Sequence, residues 1–308
     1  MSGFSASRSE CTSLSSRYLG RLAPSPTGYL HPGHAATFSI AEKRCRERNG
    51  NLILRVEDLD QARCKDHFTP AMIEDLQWVG ITWDEGPGST NNVHLEGRLY
   101  LQSERLKLYE EAWLKLYRKG CIYPCPLSRK DIMKVAAAPP EGEELVFPVS
   151  LRPSNVEINQ SYTCPQDGPK GVNWRFRVPE SRAVSFTDNC LGPQTFVAGQ
   201  HFGYFVVFGK DNFAAYELAV VVDDAEMTVT EVVRGADLQL STARQLLLYE
   251  QLEAAPPQFY HCPLVLDESG IRMAKRHGST TIRALREAGW SRERIEKEMC
   301  ASVASCLK

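Results

Sequence analysis

Apolar residues fall along this chain in short blocks separated by polar breaks, and the spacing within each block predicts an element. Tyr18-Leu19-Gly20-Arg21-Leu22-Ala23 reads as a strand, and Pro24-Ser25-Pro26-Thr27-Gly28 ends it in a turn. From Gly33 to Arg48 the pattern becomes helical, with Ala36, Ile40 and Ala41 on the inner side, until Asn49-Gly50 stops it. Leu52-Ile53-Leu54-Arg55-Val56 is the next strand. Strand, loop, helix and strand within about 40 residues form a βαβ unit, which predicts a parallel, Rossmann-like sheet.

Helical spacing returns at Ala71–Val79, through Met72, Ile73 and Leu76, and at Glu104–Lys119, which Gly120 closes. The next stretch differs. Ten of the 18 prolines lie between Pro124 and Pro193, with a strand-like piece at Val172–Val178, so 121–190 reads as an inserted, irregular α/β subdomain. The parallel core is expected to resume at Tyr204–Phe208 and Tyr216–Val222. A helix capped by Ser241 is expected to run to Glu253, and Pro256-Pro257 marks a boundary. The expected division is a flexible tail (1–18), a first catalytic half (19–120), the insertion (121–190), a second half (191–255) and a loop with short C-terminal helices (256–308).

Composition narrows the class. With 308 residues, 43% hydrophobic and 24% charged, the chain is not intrinsically disordered. No apolar run reaches the roughly 18 residues of a membrane span. The net charge of −2 carries no basic signature for the chain as a whole. Locally, residues 271–308 hold nine Lys/Arg against four Glu. The ten cysteines are scattered and no secretory signal precedes them, so reduced thiols and a cytoplasmic location are expected. The serine-rich first 18 residues, with Arg8 and Arg17, leave an organelle transit peptide as the alternative, though Glu10 counts against it.

Two segments carry candidate chemistry. His31 and His34 flank Gly33 where the first helix begins, and free N–H groups and the helix dipole favour an anion there. A glycine allows close backbone approach, so the set suits a polyphosphate. Far downstream, Arg272, Lys275 and Arg276 crowd a glycine-containing loop and could neutralise a phosphoryl group. Taken alone, that loop reads as a solvated basic turn. Likewise Arg55 and Glu57, at a strand end, read alone as a surface pair worth under about 1 kcal/mol.

In combination these segments resemble the class I aminoacyl-tRNA synthetases. Ala23-Pro24-Ser25-Pro26-Thr27-Gly28 with His31-Pro32-Gly33-His34 resembles their HIGH signature, and Arg272-Met273-Ala274-Lys275-Arg276 their KMSKS loop. Arg55-Val56-Glu57-Asp58-Leu59-Asp60 is similar to a segment of the glutamate-specific members, and disfavours glutaminyl ones. Tyr216–Asp224 followed by Thr230–Leu238 is similar to the second half of that catalytic domain, most of all in the truncated glutamyl-queuosine tRNA(Asp) branch. The likeness runs from about Arg21 to Arg286, the insertion apart.

The resemblance implies an α/β, Rossmann-like class I catalytic domain and a ligase that joins glutamate to AMP and then to a tRNA. In the truncated branch the acceptor is queuosine at the wobble base of tRNA(Asp). Only 33 residues follow Lys275, too few for an anticodon-binding domain of about 100 residues, which favours that branch. The resemblance assigns catalysis to His31, His34 and Lys275, and ATP to those three with Gly33 and Arg272. It assigns glutamate to Arg21, Ser25, Glu57, Tyr216 and Arg234. ATP with Mg²⁺ is expected, with no protein metal ligand named. The basic segment 271–308 is a candidate tRNA contact, and a monomer without membrane contact is expected. Two features depart from the family. Arg272 and Ala274 replace the usual lysine and serine of the loop. The zinc motif is degenerate, leaving Cys121, Cys125 and Cys164 without a fourth ligand. The alternatives are a minimal glutamyl-tRNA synthetase, a non-catalytic tRNA-binding relative, and a nucleotidyltransferase that uses no tRNA.

Overall fold

The structure, a computed structural model, describes residues 17–89, 98–136, 145–154, 168–264, 281–295 and 297. Strands β1 (Leu19–Leu22) and β2 (Asn51–Leu54) are mostly buried and pair in parallel, Leu19 opposite Asn51 and Leu22 opposite Leu54. The crossover that parallel strands require is helix α1 (Pro32–Glu47). Pro32 sits in the first turn, where its missing N–H costs nothing, and Arg44 and Arg46 complement the dipole in the last. Helix α2 (Phe68–Trp78) brings Met72 and Leu76 into one core with Leu22, Leu52 and Leu54. Gly86, at φ +102°, lets the chain return against β2, where an added Cβ would strike the Leu54 carbonyl oxygen.

Helix α3 (Leu106–Arg118) ends as expected: Gly120 turns left-handed at φ +68° and Cys121 N–H donates to Leu116 O. Then come β3 (Ile122–Cys125), α4 (Arg129–Val135), β4 (Asn173–Phe176), β5 (Ala183–Asp188), β6 (Gly192–Val197) and β7 (Phe205–Phe208). Strands β3, β4 and β7 form an antiparallel sheet. This corrects the expectation that Tyr204–Phe208 resumes the parallel core. A short apolar run fixes burial but not the direction of its neighbour.

A second correction concerns Tyr216–Val222, which lies in helix α5 (Tyr216–Glu226) and not in a strand. Leu218, Ala219, Val220 and Val221 are all buried, so no helical stripe shows in the sequence. Strand β8 (Glu231–Gly235) follows, then helix α6 (Gln239–Leu252), then β9 (Gln258–Cys262) directly after Pro256-Pro257. The cap of α6 is Leu238, not Ser241. Ser241 lies within the helix and its hydroxyl donates to Glu217.

Strands β8 and β9 are parallel, β5 joins β9 at Asp188 and Phe259, and β6 pairs antiparallel with β5 at the edge. Thr230 N–H donates to Leu19 O, and Arg21 reaches Val233 O, so β8 lies beside β1 and runs the same way. The carboxyl ends of β1, β2, β8 and β9 therefore open on one edge, the place where open α/β sheets bind ligands. Helix α7 (Ile282–Glu287) is anchored to that edge: Ile282 N–H donates to Leu30 O, one residue before His31. No helix among the described residues is long and apolar enough to cross a membrane.

Candidate active site

Four of the residues expected to bind an amino acid converge at this edge. Arg21 lies in β1, Glu57 follows β2, Tyr216 opens α5 and Arg234 lies in β8. Arg21, Glu57 and Arg234 are buried, whereas Tyr216 is 37% exposed. Arg234 Nη1 donates to the Tyr216 hydroxyl at 3.3 Å. Its Nη2 donates to Thr242 Oγ1 (2.6 Å) and Gln245 Oε1 (2.8 Å), and its Nε to His261 Nε2 (3.2 Å). Arg21 Nη1 donates to Val233 O at 3.0 Å. Burial lowers the Arg21 pKa. Asp224 opposes this, whereas the nearby Arg55 and Arg234 add to it.

Behind them lies an ion cluster whose extent the sequence does not reveal. Arg55 is fully buried, not a surface residue as a strand-end reading suggests. Its Nη1 donates to Asp224 Oδ1 (2.6 Å) and its Nη2 to Glu57 Oε1 (3.0 Å), while Nε lies 3.6 Å from Asp223 Oδ2. Against the cost of burial, Asp224, Asp223 and Glu57 hold this guanidinium well above its usual pKa. Asp223 accepts in addition from Arg105, Gln102 and Tyr109, at 2.7 to 3.0 Å. Burial raises the Glu57 carboxyl above its ordinary value, against the pull of Arg55 and Arg21. A ligand ammonium would offset that burial cost. The available sequence signal was Asp223-Asp224, two charges closing a wholly apolar run.

The phosphate-type residues lie on the same edge. His31 caps α1, and its Nδ1 accepts from Gly33 N–H at 3.1 Å. A neutral His31 therefore carries its proton on Nε2 and can donate from there. The His31 and His34 rings are 6.4 Å apart, His31 buried and His34 exposed. The first turn of α1 holds no acidic residue of its own to oppose an anion. Ser25 is exposed on the loop from β1, which is tied to the segment after β2 through Glu57 N–H donating to Pro24 O.

Arg272 and Lys275 lie outside the described residues, as does Cys164. Of the other two cysteines named with zinc, Cys121 directly precedes β3 and Cys125 ends it, and four residue steps of extended chain set them about 13 Å apart. One zinc, binding sulfur at about 2.3 Å, does not span that distance. Among the described residues no group of three His, Cys, Asp or Glu is placed to hold a metal.

Comparison with known proteins places this geometry in context. The sequence profile of the class I tRNA synthetases (E and Q), catalytic domain, matches residues 19–302. The glutamyl-Q tRNA(Asp) synthetase of Symbiobacterium thermophilum is 43% identical over 90% of this chain and 83% of its own length. The glutamate–tRNA ligase of Aquifex aeolicus is 37% identical over 91% of this chain, which spans 56% of that ligase. Among solved structures, a glutamate tRNA ligase from Elizabethkingia meningosepticum, in complex with its amino acid, superposes with a TM-score of 0.70 at 26% identity. That match covers 85% of this chain and 52% of the other.

Proposed function

From the premise that the chain belongs to the class I tRNA synthetase (E and Q) family, we propose that it activates L-glutamate with ATP and transfers it to queuosine of tRNA(Asp). The observation that carries the amino-acid half is that buried Arg21, Arg234 and Glu57 are gathered at one sheet edge beside Tyr216. Glutamate has two carboxylates and one ammonium, the complement of two guanidiniums and a carboxylate. Tyr216 and Ser25 add hydroxyl donors. The identity of the acceptor rests on the glutamyl-Q relative, matched over most of its length.

In the first step a glutamate α-carboxylate oxygen attacks the α-phosphorus of ATP and pyrophosphate leaves. In the second, the queuosine hydroxyl attacks the acyl carbon and AMP leaves. Both first-step reactants are anions, so the protein's task is positioning and charge neutralisation. His31 Nε2–H and His34, at the positive end of α1, would hold phosphates. Lys275 and Arg272 would meet the charge that develops on them. Mg²⁺ accompanying the ATP would shield phosphate charge.

The test is an acceptor assay with purified protein, ATP, Mg²⁺ and labelled glutamate. Label should enter tRNA(Asp) that contains queuosine and not tRNA(Asp) that lacks it. Labelling of tRNA(Glu) at its 3′ end would overturn the reading in favour of a glutamyl-tRNA synthetase. Absence of pyrophosphate exchange with any amino acid would favour a non-catalytic relative.

A further inference from the structure

Behind Arg234 runs a second buried chain, separate from the Arg55 cluster. His261, in β9, is wholly buried between Arg234 and Asp188 of β5. Asp188 Oδ2 lies 2.6 Å from His261 Nδ1, and His261 N–H donates to the same carboxylate. Asp188 also accepts from the backbone N–H groups of Cys190 and Leu191. A carboxylate so engaged can only accept, so His261 Nδ1 carries the ring proton. Its Nε2 is then the acceptor that Arg234 Nε–H requires.

An arginine has five N–H donors in a planar fork. In Arg234, Nε is taken by His261 and Nη2 by Thr242 and Gln245. Both two-nitrogen faces of the fork are thereby closed. One hydrogen of Nη1 meets the Tyr216 oxygen, and the other is left for a ligand. Because Tyr216 accepts from Nη1, its own hydroxyl proton is available to donate beside it.

We infer that His261, held by Asp188, is a positioning residue that turns Arg234 so that only Nη1, next to the Tyr216 hydroxyl, faces a substrate carboxylate. The two-donor clamp is thus composite, one proton from Arg234 and one from Tyr216. This inference rests on the reading that Arg234 binds glutamate.

The experiment uses the full chain and glutamate-dependent pyrophosphate exchange, with KM measured separately for glutamate and ATP. His261→Asn keeps a donor for Asp188 but does not reach Arg234. It should raise the glutamate KM about tenfold, the loss of one charge-assisted hydrogen bond, with the ATP KM changing less than about twofold. In His261→Gln the amide oxygen reaches the position of Nε2, so it should recover most of the lost affinity. A glutamate KM unchanged in H261N, or both KM values rising together, overturns the inference. Should H261N not fold, Thr242→Val, which removes the hydroxyl shared by Arg234 and His261, carries the same expectation and the same refutation. Arg234→Ala separates the two levels. If it leaves glutamate KM unchanged, the parent reading fails; if it raises KM and H261N does not, only the role of His261 fails. If the wild type shows no exchange, the parent reading fails, and calorimetry of glutamate binding to the same variants decides the role of His261.

Discussion

Replacing Arg55 by methionine tests the physical account of the site at its most heavily charged point. The substitution keeps much of the buried volume and removes a guanidinium that binds Asp224 at 2.6 Å and Glu57 at 3.0 Å. Each such bond to a charged partner is worth about 1.5–3 kcal/mol. Asp223 keeps Arg105, Gln102 and Tyr109, so the loss falls on Asp224 and Glu57. Stranding buried carboxylates costs about 3–5 kcal/mol, and apolar contacts made by the methionine return part of it. The expected net is about 4 kcal/mol, a fall of about 10 °C in melting temperature for a chain of this size. Thermal unfolding followed by circular dichroism measures it. Arg63→Met is the control: its pair with Asp60 is exposed and should change stability by less than about 1 kcal/mol. The R55M deficit should also narrow in acid, as the stranded carboxylates take up protons. A fall of under about 1 kcal/mol at neutral pH would refute the reasoning.

Two further predictions concern stability alone. Burial, and then Arg234, push the His261 pKa down to about 4 from an ordinary 6.5. The unfolded chain therefore binds a proton that the folded one refuses. Stability is undiminished above pH 6.5 and falls as pH drops toward 4, by about 3 kcal/mol. Denaturant midpoints across that range should slope in the wild type and flatten in H261Q; equal slopes would contradict this. Gly86→Ala should cost about 3 kcal/mol, because the new Cβ meets backbone at a positive φ. Gly120→Ala, at φ +68° with nothing within 4 Å, should cost only about 1 kcal/mol, and equal melting temperatures for the two variants would refute the distinction.

How much the sequence revealed depended on range. The βαβ unit was legible because its strands, the Pro24–Gly28 turn, the helical spacing and the Asn49-Gly50 stop are local signals. The convergence of Arg21, Glu57, Tyr216 and Arg234 was legible only through family motifs, since no spacing rule joins residue 57 to residue 234. Helix α5 was misread because burial on every side erases the stripe that marks a helix. The direction of β7 was missed because a strand's partner is a tertiary choice. His261 gave no signal: one histidine in an apolar strand looks like any core histidine until Asp188 and Arg234 are seen on either side of it.

Asp223 and Asp224 stand next to each other on α5 and share Arg55 between them, while each has a partner of its own, Arg105 and Tyr109 for Asp223 and Arg21 for Asp224. Two keys cut at about 100° to each other fix a shaft in rotation as well as position. The helix that carries Tyr216 is locked in this way. Removing Arg55 or either aspartate takes a charged partner from a buried group, so changes inside the lock cost stability. Amino-acid preference in such a protein would be retuned at least cost through the exposed rim, Tyr216 and Ser25, where a substitution leaves the buried ion pairs in place.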